Sequence, residues 1–198
     1  MRARRALTLT VATAAVLIGT SAPAAAATDY RTSTITYNCT FPGVGAQPVT
    51  AVAGFTGPDA VASGEAITAG FFSGGIAVSP DLYQLMAVSL GYDGVRGSGT
   101  LPITAVNAFP AAANAGVVIP AVFWDSFNRA FYFSGTGPVT FTAGPPGAAS
   151  FRLGTPFSLA IEFHRRQNGT WMPWTMACTL RVTTPGQYTY FSPSVPVS

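Results

Sequence analysis

Glycine and proline set the first limit on this fold. Twenty-one glycines and sixteen prolines interrupt the 198 residues every few positions, which excludes long helices over most of the chain. Between the interruptions lie short runs rich in Val, Ile, Thr, Phe and Tyr, the pattern of an all-β domain. Thr34 to Phe41 alternates cleanly, with Ile35, Tyr37, Cys39 and Phe41 on one face and Thr34, Thr36, Asn38 and Thr40 on the other. That is a strand with one buried face. Further strands are expected at Pro48–Phe55, Ala66–Phe72, Gly99–Asn107, Gly116–Val122, Ala130–Ser134, Pro138–Ala143 and Ala148–Leu153. One short helix is expected after Ser79: a capping serine, Pro80 in the first turn and Asp81 beside the positive end. Leu82, Leu85, Met86 and Leu90 then recur at helical spacing until Gly91.

Residues 1–27 read as an export signal: Arg2, Arg4 and Arg5, an apolar run from Ala6 to Ile18, then small residues ending at Ala25 and Ala27. Cleavage is expected after Ala27, leaving residues 28–198 as one domain. The Arg4-Arg5 pair suggests twin-arginine export, but the rest of that motif is missing and general secretion is favoured. Every basic residue is Arg, and beyond the leader seven Arg balance seven acids. The pI near 9.1 therefore describes the leader. A neutral chain has neither the basic footprint of a nucleic-acid binder nor a polybasic membrane patch. The uncharged stretch from Ala105 to Trp124 is broken by Asn107, Pro110, Asn114, Gly116 and Pro120. It reads as a buried loop feeding a strand, so no transmembrane span is expected in the mature chain. A secreted or cell-surface location follows.

In an oxidising compartment Cys39 and Cys178 are expected to pair. Their separation closes a 139-residue loop, worth about 4–5 kcal/mol in the chain-entropy model. Near the C-terminus Phe157, Leu159, Ile161 and Phe163 alternate with polar or small residues, and Met172, Trp174, Met176, Cys178, Leu180 and Val182 do the same. Asn168-Gly169 suits a two-residue hairpin turn. That turn sets Phe163 opposite Trp174, Ile161 opposite Met176 and Leu159 opposite Cys178. Two inward cysteines on the first and last major strands then suggest a bridge between two sheets, giving an antiparallel, immunoglobulin-like sandwich with one short helix.

His164 is the only imidazole, so a Ser-His-acid triad must use it, yet no nucleophile elbow occurs. Glu162 and His164 share one face but are too few to define a metal site. No cofactor fingerprint appears. On the outward face of the hairpin the same turn brings Arg166 opposite Trp171, with His164 and Glu162 behind. These four are the candidate binding residues, through cation–π stacking or an aromatic platform for a sugar ring. No catalytic residue is assigned. A hydrolase or carbohydrate-active enzyme using Glu162, Asp125 or His164 is the alternative. The sequons at Asn38 and Asn168 read as chance.

The segment Thr36-Tyr-Asn-Cys-Thr-Phe-Pro-Gly-Val-Gly-Ala-Gln-Pro-Val-Thr50 resembles the opening of secreted actinobacterial domains of unknown function. Ser63-Gly64-Glu65, the short helix and Cys178 are compatible with a resemblance from Thr34 to Val182. It implies a disulfide-bonded sandwich outside the membrane and no established activity. The sequence thus points to a binding or structural module of the cell envelope, with cell-wall polysaccharide or another envelope protein as partner.

Overall fold

The computed structural model describes residues 26–182 and 188–198. The export-signal reading falls largely on residues 1–25, outside the described residues. The first strands are β1 (Ala27–Arg31), β2 (Ile35–Phe41), β3 (Gly45–Pro58), β4 (Ala66–Ala69) and β5 (Ser73–Val78). Next come helix α1 (Pro80–Tyr83), whose last turns widen over Gln84–Ser89, and β6 (Tyr92–Val106). The chain continues through β7 (Ala108–Phe109), β8 (Ala112–Phe123), β9 (Ala130–Gly135), β10 (Val139–Ala143) and β11 (Gly147–Leu153). It ends with β12 (Phe157–Arg165), β13 (Thr170–Leu180) and β14 (Val195–Val197).

The all-β class and the short helix hold, but the architecture is not a two-sheet sandwich. Eight strands run β2-β3-β5-β9-β8-β6-β12-β13, and β13 pairs back to β2, so the sheet closes into an antiparallel barrel. The strand that completes the circle is β5, Ser-Gly-Gly-Ile-Ala-Val, whose glycines imitate a turn in sequence. A Cβ at Gly74 would overlap Val52 O and the Phe133 ring, so β3 and β9 can flank β5 only because that side chain is absent. The stretch read as a buried loop feeding a strand is instead the end of β6, the small β7 and all of β8.

Cys39 and Cys178 do form a disulfide. It joins directly opposed residues of the neighbouring strands β2 and β13, with Cα atoms 4.1 Å apart, and does not bridge two sheets. That separation belongs to the close pairs of an antiparallel ladder.

The hairpin keeps the expected faces but not the expected register. Phe163 pairs with Met172, Ile161 with Trp174 and Leu159 with Met176, two residues from the alignment read from the sequence. Four residues, Arg166 to Gly169, form the turn, with Gly169 at φ 70° and its N–H bonded to Arg165 O at 2.9 Å. Asn168 turns its side chain to Thr170, whose N–H and hydroxyl both donate to Oδ1. A shift of two preserves side-chain alternation, so the apolar face still points inward.

Inside the barrel Ile35, Tyr37, Val117, Phe131, Ile161 and Phe163 are almost wholly buried. The void beside Ala51, Leu101, Val117 and Leu159 measures about 10 Å³, near the minimum needed for a single water. An eight-stranded barrel is just wide enough for side chains to fill it. The outer wall carries Thr36, Asn38, Thr40, Ser98, Ser158 and Thr175, the reverse of a lipid-facing barrel. No helix of the described residues is long and apolar enough to cross a membrane.

Ser79 Oγ accepts the Leu82 N–H at 3.1 Å, as a capping serine should. The helix then widens, with Leu90 N–H reaching Leu85 O. This turns Leu82, Tyr83, Met86 and Ala87 inward and leaves Leu85 and Leu90 exposed, so those two depart from the expected apolar face. Beyond the opposite end of the barrel, Phe55 lies 5.0 Å from each of Tyr30, Phe72 and Phe191. The sheet β4-β10-β7 adds Phe141, 4.8 Å from Phe151.

Replacing both cysteines with Ser is expected to cost about 2–5 kcal/mol, lowering Tm by roughly 5–15 °C in a thermal melt. The Tyr37 hydroxyl is buried without a partner among the described residues, and burial pushes its pKa up. Tyr37→Phe should therefore be neutral or stabilising by about 1 kcal/mol in urea unfolding. A marked loss of stability would show that the hydroxyl is bonded.

Candidate functional site

Four adjacent barrel strands, β8, β6, β12 and β13, align one outward row: Phe123 pairs with Gly94, Gly94 with His164, and His164 with Trp171. Gly94 has a specific use here. A Cβ on it would sit 3.0 Å from Phe123 Cδ1 and 3.2 Å from His164 Cβ. Its absence lets the Phe123 and His164 rings meet at 4.9 Å across β6. Trp171 completes a triangle of rings, 5.1 Å from His164 and 5.8 Å from Phe123.

The ladder between β6 and β12 slips at this row. Arg165 pairs with Tyr92 and His164 with Gly94, so Asp93 is the extra residue of a β-bulge. A bulge re-aims a side chain, and this one turns Asp93 onto its neighbours. Asp93 Oδ1 lies 2.6 Å from His164 Nδ1, and Oδ2 accepts from Arg166 Nε at 3.0 Å. Both the Asp93 and His164 side chains are only 17% exposed. Burial pushes the Asp93 carboxyl up, but the His164 and Arg166 hydrogen bonds and charges outweigh it, leaving the pKa below the ordinary value. An ionised Asp93 requires the His164 proton on Nδ1. His164 Nε2 has no hydrogen-bond partner among the described residues.

The next outward row holds Arg96, Glu162 and Pro173. Arg96 Nε bonds Glu162 Oε2 at 2.5 Å, and its guanidinium lies 4.4 Å from the Trp171 ring centroid. Beyond it Ser98, Ala160 and Thr175 form a third row of small residues. An open groove of about 450 Å³ follows these residues, lined also by Glu162 and Pro173.

The four candidate residues Glu162, His164, Arg166 and Trp171 thus lie on one stretch of wall. The pairing differs from expectation: Trp171 faces His164 and stacks with Arg96, while Arg166 turns to Asp93. The two-residue shift of the hairpin accounts for the exchange. Asp93, Arg96 and Phe123 were missed because only barrel closure brings β6 and β8 beside β12. Tyr92-Asp93-Gly94 carries a turn-like signal, and nothing in its spacing marks a bulge.

Asp125 is occupied within its own loop. Its Oδ1 accepts the N–H groups of Asn128 at 2.6 Å and Phe127 at 2.7 Å, in that order of effect, which hold its carboxyl below the usual range. The loop displays Phe127 with 96% of its surface exposed.

Fold and site together define a filled antiparallel β-barrel with a charged and aromatic cluster on its outer wall. The chain belongs to DUF6801, a family of unknown function whose model matches residues 36–192. No curated protein and no solved structure matches it. The immunoglobulin-like expectation attached to the sequence resemblance is corrected by the closed barrel.

The lowered Asp93 pKa has a definite acid signature. Its stabilising contribution is present above the unfolded value near 4 and is lost as pH falls through the lower folded value, because the unfolded chain then binds the extra proton. Asp93→Asn should reduce stability at pH 7 and flatten the fall between pH 5 and 3, followed by urea midpoints. Parallel profiles for variant and wild type would contradict this assignment.

Proposed function

We propose that the protein is a secreted, envelope-facing binding module that meets its partner with the outer wall around His164 and Trp171. One observation carries the reading: aromatic rings and guanidinium groups are fixed on the outer wall beside an open groove. Trp, Arg and Phe are the residue types that anchor recognition surfaces. The bulge, the Asp93 hydrogen bonds and the stacked Arg96 hold them in one geometry, which limits the entropy lost on binding. The disulfide is compatible with an extracellular setting.

The hydrolase alternative has one observation in its favour, the Asp93–His164 pair with Nε2 left over. Against it, the imidazole is wedged between Phe123 and Trp171, and no Ser, Thr or Cys bonds to it among the described residues. Glu162 is held by Arg96 and Asp125 by its own loop. A nucleophile within reach of its base is the first geometric requirement of that chemistry.

The test is retention on purified envelope, with polysaccharide and protein fractions assayed separately by co-sedimentation. Trp171→Ala is expected to reduce retention at least tenfold. Loss of its stacking should cost about 1 kcal/mol, a Tm change of a few degrees. Unaltered retention in a folded variant would overturn the assignment of this wall.

A further inference from the structure

The groove beside the ring cluster can be given a ligand chemistry, resting on the binding-module reading above. Its floor is the directly paired row Ser98–Ala160–Thr175, where short side chains lower the wall. The groove is an open depression of about 450 Å³, more exposed than the clefts that bury most of a small ligand. Side chains alone do not make it a site. What marks it is the set of polar groups left with unused capacity around it. Glu162 Oε1 and the hydroxyls of Ser98 and Thr175, which line it, and the Nη groups of Arg96, which pairs with Glu162 at its edge, make no hydrogen bond to the described residues. Arg96 is also fixed from both sides, by Glu162 and by the Trp171 ring.

These groups select against most ligand classes. The guanidinium and carboxylate cancel, so a strongly charged ligand would meet as much repulsion as attraction. Donors and acceptors are both present, with two hydroxyls that serve as either. Pro173 adds an exposed apolar edge. A neutral polyhydroxyl ring satisfies all three conditions, with hydroxyls to the polar groups and a C–H face toward proline. The Trp171 face is covered by Arg96, so the ring is held by hydrogen bonds along the groove and not by stacking on the indole.

We propose that this groove is a subsite for a neutral sugar unit of an envelope glycan, bound through Arg96, Glu162, Ser98 and Thr175. The experiment titrates the full-length mature protein with soluble neutral oligosaccharides (α- and β-linked glucans, galactan and arabinan fragments) and follows backbone amide shifts. Shifts confined to Ser98, Ala160, Glu162 and Thr175 are expected for at least one of them. Ala160→Phe, which fills the groove from an exposed position, should weaken that binding at least tenfold. Glu162→Gln, which keeps the shape and removes the charge, serves if the first variant does not fold. No response to any of the oligosaccharides overturns the subsite, as does undiminished binding by the folded variants. Retention on envelope polysaccharide that survives Ala160→Phe, or on envelope protein alone, also overturns it while leaving the binding module intact. Retention on neither fraction overturns both.

Discussion

The seam between β2 and β13 is the constraint on which the rest of the barrel depends. Every other neighbouring pair in the circle is joined by a ladder that no covalent bond reinforces. Here the direct pairing covers only Cys178 to Leu180 against Cys39 to Tyr37. Past it the Thr40 hydroxyl takes the place of the backbone, receiving Ala177 N–H at 3.0 Å, and the Trp174 indole donates to Thr40 O at 2.9 Å. Pro173 is tolerated in β13 because it lies beyond this ladder, where no N–H is needed toward β2. An unclosed seam would leave two strand edges and open an aromatic interior to water. The disulfide sits at this join and ties the beginning of the barrel to its end.

Closure also creates the outer-wall site. The β6–β8 pair is remote in the chain from the β12–β13 hairpin, and the circle sets the two side by side. Once they are neighbours, antiparallel pairing places Phe123, Gly94, His164 and Trp171 in one row. The Asp93 bulge is a local departure from that regularity, and it converts a turn-like sequence into a hydrogen-bond anchor for the only histidine. The exterior cluster is therefore a product of register, with each side chain fixed by a strand that its own segment does not encode.

A barrel filled with Tyr37, Phe131, Ile161 and Phe163 leaves, among the described residues, an internal void of only about 10 Å³, so the proposed binding role is placed on the wall and not in the interior. The wall offers a neutral ion pair, small hydroxyl residues and rings in edge-to-face and tilted contact. Under the proposed binding role such a surface suits polar, uncharged partners better than nucleic acid or a charged bilayer, in keeping with the balance of seven Arg and seven acids after residue 27. Membership of a family of unknown function adds no chemistry to this reading.

By itself the sequence determined the all-β class, most strand positions, the Ser79-capped helix and the pairing of Cys39 with Cys178. These follow from alternation, capping and cysteine count, which act over a few residues or leave no other choice. It also determined which face of β12 and β13 turns inward, because a two-residue shift leaves alternation unchanged. Only the tertiary structure decided that the sheet closes. Closure requires β5, whose glycines look like a turn until β3 and β9 crowd them. The partner of Trp171 was decided in the same way. A four-residue turn and a bulge moved His164 and Arg96 into place, and neither device has a signature shorter than the barrel itself.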